Sequence, residues 1–371
     1  MTRTRVVIGL ITVLMVATPW TSVLASYRFG QFKAHPPIHA RGSASATPSG
    51  LTPATIKAAY RLPAVGGSGT VAIIDAYDDK TIESDLAVFD QKFGLPACTT
   101  ANGCFEKHVL GKNVKSDAGW SLEISLDVEW AHAVAPQAKI LLEEAATPSG
   151  ANLLAAIDDA RARPDVTAVS MSWGGAEFSD ETTLDSHFTS DHGVVFFASS
   201  GDDGAGASWP AASPNVVSVG GTSVAVAANG KVTETAWSGS GGGVSAYEPE
   251  PDYQVAFTVP KAQGHRAIPD VSYDADPQSG FAVYRSTSTA TKKGWYVIGG
   301  TSAGAPQWAG IEALGLATGN PLFYKDKASS TPASYFRDIV SGKNGDCKYY
   351  CDARRRYDYV TGLGSPVTVN F

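Results

Sequence analysis

The 371-residue chain is short of several things, and each shortage narrows what it can be. Basic stretches are few. The formal net charge is -7 and the one run of cations is Arg354-Arg355-Arg356, so a nucleic-acid surface is excluded. Charged residues make up 18%, against 38 glycines, a balance that suits an exported protein rich in tight turns and facing variable pH. No fixed period recurs, which excludes a repeat array. Long apolar runs are missing beyond the N-terminus. There Arg3 and Arg5 precede a run that Thr12 interrupts and Val23-Leu24-Ala25 closes, the layout of a secretory signal cleaved after Ala25 and not of a spanning helix. Cysteine is scarce as well: the 4 cysteines form two close pairs, Cys98 with Cys104 and Cys347 with Cys351. Asn102-Gly103 supplies a turn inside the first pair, so two local disulfides are expected, and neither pair has the histidines that a zinc site needs.

What is present reads as one large domain after an N-terminal preamble. Residues 26–50 are rich in Pro, Ala, Ser and Gly without periodicity and are expected to form a flexible linker, with order beginning at Leu51. Beyond it, β-rich runs (70–77, "AKILLEEA", "VTAVSMSW", "GVVFFASSG") alternate with helical patterns, among them "TIESDLAVFDQKFG", "SLEISLDVEWAHAVA" and "ANLLAAIDDARAR". Strands that are continuous Val/Ile/Leu/Phe runs belong to a sheet covered on both faces. The chain is therefore expected to be α/β, three-layered, with a central mostly parallel sheet flanked by helices. The stretch from Trp209 to Val297 reads as loops and additional strands.

The tetrapeptide GGTS occurs twice, ending at Ser223 and at Ser302. Val-Ala-Val follows Ser223, so that copy reads as a turn between strands that continues the sheet. Small and apolar residues follow Ser302, with Pro306 tolerable only near a helix start. A hydroxyl at that point faces the positive end of a helix, which makes Ser302 the nucleophile candidate, although a mere helix cap is the commoner role for such a serine.

A nucleophile needs a base. In "GWSLEISLDVEWAHAVAP", Leu122, Leu126, Trp130 and Ala133 form an apolar stripe, and Glu123 and Asp127 lie beside it, four apart on one face. Two carboxyls so placed repel and share a proton over an acidic range, which permits general-base work, while a solvated helix face remains the commoner reading. Loops at the carboxyl ends of strands gather a site, and "ASSGDDGAG" places Asp202 and Asp203 in one of them, as catalytic groups or as ordinary turn acids.

Seven segments in order, "SLEISLDVEWAHAVAPQAKILL", "SMSWGG", "ASSGDDGAG", "WPAASPNVVSVGGTS", "IPDVSYDADP", "GGTSAGAPQWAG" and "DYVTGLGSP", together resemble the sedolisin family of serine-carboxyl peptidases, over roughly residues 51 to 371. The resemblance implies a subtilisin-like fold, polypeptide substrates and a monomer. It implies Ser302 as nucleophile, Glu123 as general base, Asp127 as the acid that orients it, and Asp202 as donor to the oxyanion. It also implies that the strand Ser172, Trp173 and Gly174 lines the primary specificity pocket, with Trp173 equally readable as core. A histidine triad of the subtilisin kind lacks its His-Gly-Thr-His motif: His132 stands between Ala131 and Ala133. Asp75 is left to a supporting network or to a turn cap with Asp78 and Asp79, and His108, His187, His192 and His265 to surface or core roles.

The same resemblance implies one calcium ion on Asp338, Ile339 and Asp358, with main-chain carbonyls from Arg354 and Arg356 where the family has a glycine-rich loop. It further implies a long propeptide, against which residues 26–50 read as a form lacking one. The expected function is a secreted serine-carboxyl endopeptidase working in acid. The alternative is an exported, calcium-stabilised binding protein on the same scaffold without turnover.

Overall fold

The computed structural model describes residues 28–287, 292–316, 318–328 and 335–367, so the secretory signal expected at 1–25 lies outside the described residues. Among the described residues no helix is long and apolar enough to cross a membrane.

An eight-stranded sheet organises the domain. Its order is Val232–Ala236, Val216–Val226, Val195–Ser199, Val166–Met171, Thr70–Ala76, Lys139–Ala145 and Phe105–Leu110, with Val271–Asp274 also paired to Val216–Val226. All pairings are parallel except the first. Side chains alternate faces along each strand. Val71 and Ile73 join a cluster with the helices Ile82–Phe93, Ala118–Val134 and Gly304–Ala313, while Ala72 and Ile74 join another with the helix Gly150–Arg161. Helices on both faces make the three layers expected from the apolar strand runs. Both expected disulfides, Cys98–Cys104 and Cys347–Cys351, are formed.

Three local expectations are corrected. The GGTS ending at Ser223 is not a turn: it lies within the eleven-residue strand Val216–Val226, where Gly221 leaves no room for a side chain beside Trp237 and Ala275. The helix Ala118–Val134, capped by Asp117 accepting from the Gly119 and Trp120 amides, is not amphipathic; every residue from Trp120 to Val134 is buried. Neighbouring segments cover its polar side, as where Glu129 accepts from the Tyr284 amide at 3.0 Å.

The largest correction concerns residues 28–50, which are packed and not a linker. Phe32 and Ala34 are buried, with the Phe32 ring 4.8 Å from that of Trp209. The Ala34 amide donates to the Pro148 carbonyl, and His39–Ala40 pair antiparallel with Ile298 and Gly299. Ser45 exchanges both main-chain bonds with Trp295. A segment of irregular composition is held here by other strands' free edges, a pairing that backbone groups make regardless of side-chain pattern.

Candidate active site

Ser302 sits in the turn Thr301–Ala303 that opens directly into the buried helix Gly304–Ala313. The turn starts at Gly300, whose φ of 123° lies in the range only glycine adopts readily. A side chain there would overlap the Pro37 carbonyl oxygen and stand 2.7 Å from Asp202 Oδ2. The glycine thus brings the Pro37 main chain, the turn that carries Ser302 and the Asp202 carboxyl into one small space.

Glu123 and Asp127, four apart on the central helix, are both fully buried beside this turn. Burial raises the Glu123 pKa first, the charges of Asp127 and Asp75 raise it further, and the Ser302 hydroxyl opposes them by hydrogen bonding to the carboxylate. That contact is loose: neither Glu123 oxygen has a partner of ordinary geometry, and the Ser302 hydroxyl is 3.5 Å from the Ser172 carbonyl. Long catalytic contacts are common in an enzyme without substrate. Asp127 is pushed up to about 8 by burial, against bonds from Ser172 and Glu123. Asp75, left between two roles by the sequence, is fully buried, and its pKa is raised by burial and then by the Asp127 charge. It is a third carboxyl of the same cluster and not a turn cap.

Asp202 faces the turn from the opposite side. Its Oδ1 accepts from the Thr301 amide and hydroxyl, both at 2.8 Å, and its Oδ2 meets His39 Nε2 at 3.0 Å. Burial raises its pKa, while His39 and Thr301 pull it down. Asp203 and Asp276 share the hollow with His39 and Asp202.

The strand end Ser172–Gly174 is divided by role. Ser172 Oγ donates to the Ser302 carbonyl at 3.1 Å. Trp173 is core: it is fully buried, and its indole donates to the Ile74 carbonyl at 2.8 Å. Gly174 presents its main chain to the cleft, where it exchanges two bonds with His35, at 3.0 and 3.2 Å. His132 is engaged elsewhere, by the Pro96 carbonyl at 2.9 Å and Asp90 at 3.4 Å, so no imidazole of the central helix serves Ser302. His108 and His187 are taken up by nearby carboxylates.

At the far end, Asp338 and Asp358 bracket the loop 354–356. The Arg356 amide donates to Asp338 and the Arg354 amide to Asp358, each at 3.0 Å. Arg356 holds the left-handed φ of 76° that a glycine would supply. The guanidinium groups of Arg354 and Arg356 lie over Tyr349 and Phe257, at 4.6 and 5.5 Å. Ile339 is buried nearby, in a cluster with Ala353 and Val360. Asp358 is engaged on both oxygens, Oδ1 accepting from the Val360 and Thr361 amides and Oδ2 from the Arg354 amide and the Thr361 hydroxyl, so an ion at this place would have to share oxygens that already hold the loop.

His39 and its segment are what the sequence did not disclose. A weak signal was present: Pro36-Pro37 favours an extended backbone, the form that docks along a strand edge.

Comparison with known proteins identifies the family. The sequence profile of the subtilase family matches residues 110–331, more than half of the chain. Kumamolisin from Bacillus sp. (strain MN-32) is 32% identical over 88% of the chain and 64% of its own length. Sedolisin from Pseudomonas sp. (strain 101) is 29% identical over 90% of the chain and 63% of its length. The chain therefore spans less than two thirds of these relatives. Among solved structures, Pseudomonas sedolisin, a serine-carboxyl proteinase complexed with pseudo-iodotyrostatin, superposes with a TM-score of 0.72 at 26% identity, covering 86% of this chain and 96% of that one. The chain belongs to the subtilase family, in its sedolisin branch.

Proposed function

We propose that the chain is a secreted endopeptidase that hydrolyses peptide bonds in acid through Ser302. One observation carries this reading: the hydroxyl at the helix start lies between a buried carboxyl pair, Glu123 and Asp127, and a buried acid across the turn, Asp202. Glu123 takes the hydroxyl proton as Ser302 Oγ attacks the carbonyl carbon, then returns it to the leaving amine; water repeats the cycle on the acyl-enzyme. Asp127 shares the proton with Glu123 and orients it. Asp202, when protonated, donates to the oxyanion. An imidazole base would be protonated in that medium, whereas one carboxyl of a coupled pair stays ionised. The test is peptide release from denatured protein at about pH 4 and about pH 7. Release faster in acid supports the reading, and no release at either pH favours the non-catalytic binding protein instead.

The burial of several carboxyls supports an acidic setting. Burial pushes Glu181 up to about 9, Glu143, Glu144, Glu248 and Glu312 to about 8, and Asp90 to about 7. These folded-state values lie above the unfolded value of about 4. The stability they confer is therefore complete below about pH 4 and lost as pH rises through about 7 to 9. Glu106 and Asp165, held low with Arg163 among the causes, work the other way and lose their contribution in stronger acid. The melting temperature is expected to peak near pH 4 and fall steadily to pH 8. If three of these carboxyls titrate in the folded chain only about one pH unit above their unfolded value, together they account for about 4 kcal/mol of that fall. A flat or rising melting curve over that range would contradict the assignment.

Calcium is proposed at Asp338 and Asp358, completed by main-chain carbonyls of Ile339, Arg354 and Arg356. The ion would tie the loop 354–356 to the body. At about one hundred times its Kd, calcium adds roughly 2.7 kcal/mol to stability, a rise of several degrees in Tm that Asp358→Asn should abolish. Equal melting in calcium and in chelator would remove the ion from the account.

A further inference from the structure

A histidine and several carboxyls converge on the face of the sheet turned away from the helix of Glu123 and Asp127. His108 lies on the edge strand Phe105–Leu110, directly across from Glu143 on the strand Lys139–Ala145. In the alternation of that strand Glu143 falls between Leu141 and Ala145, so it points to the side that the helix Gly150–Arg161 covers. The same helix contributes Asp159. His108 Nδ1 is 2.9 Å from Glu143 Oε1 and 3.5 Å from Asp159 Oδ2, and one donor atom from each of these residues lies within 4.8 Å of the others. On the other side of the ring, His108 Nε2 meets Glu106 Oε1 at 2.8 Å, and Arg163 donates to both oxygens of Glu106, at 3.0 and 2.9 Å.

The cations at hand do not fill this cluster. Arg163 is spent on Glu106 and Asp165, which leaves Glu143 and Asp159, among the described residues, with one imidazole between them. Glu143 is fully buried, and its Oε2 has no hydrogen-bond partner. A buried carboxylate oxygen without a donor is costly, and coordination to a cation satisfies it. The donor set selects the ion. One imidazole nitrogen with two carboxylate oxygens suits a first-row dication such as zinc, held by three protein ligands and water, whereas calcium and magnesium take oxygen. Tetrahedral bonds of about 2.0 to 2.1 Å set ligand atoms about 3.4 Å apart, close to the 2.9 and 3.5 Å between His108 and the two carboxyls. The ring is also oriented as a metal-binding histidine requires, with its far nitrogen on a carboxylate that is itself held in place. Among the described residues, the other gathering able to hold an ion is Cys98, Cys104 and His132, whose sulfurs are joined in a disulfide.

We propose that His108, Glu143 and Asp159 form a binding site for one zinc-type dication, with Glu106 fixing the imidazole from behind. The site stands apart from Ser302 and does not depend on the peptidase reading. Its ion would bond the edge strand, the strand beside it and the covering helix to one another. That is a place where a staple counts, because an edge strand has backbone groups paired on one side only. The ion would join His108 to Glu143, 35 residues apart along the chain, whereas the Cys98–Cys104 bridge joins residues 6 apart. A clip across the longer loop removes more freedom from the unfolded chain.

Calorimetric titration with zinc chloride at about pH 7.5, where the ligands are free of protons to bind metal, tests the site on chelator-treated protein without a histidine tag. The chain carries Ser302→Ala so that self-digestion cannot interfere. One ion is expected to bind per chain with a Kd below about 100 µM, and saturation should raise the melting temperature by a few degrees. Asp159→Asn alters a half-exposed side chain, so the fold is kept, and should weaken binding about tenfold or more; His108→Ala should abolish it. Calcium in about tenfold excess should not displace the ion. Absence of saturable binding at about 100 µM zinc, binding that either variant leaves unchanged, or displacement by calcium overturns the proposal, and the cluster is then an ion-paired edge in which His108 carries a proton.

Discussion

Ser302→Ala is expected to reduce peptide release at pH 4 by about 10^4-fold or more, because no acyl-enzyme can then form. The fold should be untouched. The hydroxyl's geometric contact, to the Ser172 carbonyl, is a long 3.5 Å, and the residue's main chain, which accepts from Ser172 Oγ at 3.1 Å, is unchanged by the substitution. An unchanged melting temperature with activity lost separates a catalytic role from a capping one. Cleavage that survives the substitution would remove the proposed nucleophile.

Glu123→Gln should cost about 10^3-fold in kcat with little change in KM, the amide being of the same shape but unable to take a proton at working pH. Stability is expected to move the other way. Glu123 is fully buried, and its pKa is raised by burial and by the charges of Asp127 and Asp75. At pH 7 the native chain must either ionise three crowded carboxyls or hold a proton against the solvent, whereas glutamine does neither. The variant should therefore melt higher than native at pH 7, with a smaller gain at pH 4, where the pair shares a proton. Activity lost and neutral-pH stability gained by one substitution marks a residue kept for chemistry. A variant of full activity, or one destabilised at both pH values, would assign Glu123 a structural task instead.

Much of this was legible in the sequence because local physics decides it. Apolar Val, Ile and Phe runs dictate a covered parallel sheet, and small residues after Ser302 dictate a buried helix with the hydroxyl at its positive end. The spacing of Glu123 and Asp127 follows from helix geometry alone. Burial all round that helix was not legible: Ser121, Ser125, Glu129 and His132 are polar, and only distant covering groups, such as the Tyr284 amide and the Pro96 carbonyl, make their burial tolerable. Nor was the full strand through Ser223, which shares four letters with the turn at Ser302 although Gly300 turns to a φ of 123° while Gly220 and Gly221 stay in the sheet. The docked segment 28–50 escaped for a related reason. Its bonds are main chain to main chain, and its anchoring ring, Phe32, reads as an isolated apolar residue until Trp209 and Phe178 are brought beside it.

The His39–Asp202 contact and the Glu123–Asp127 pair impose opposite demands on pH, since Asp202 must hold a proton while one carboxyl of the pair must have lost its own. A coupled pair ionises in two steps, so both demands are met over an acidic window. The most direct measurement of proton transfer to a carboxyl at residue 123 is the pH dependence of kcat/KM on a peptide substrate. A carboxylate base requires a bell with its maximum in acid, declining toward neutrality as Asp202 ionises. A single rise through about pH 6.5 to a neutral plateau, the signature of an imidazole base, would contradict it.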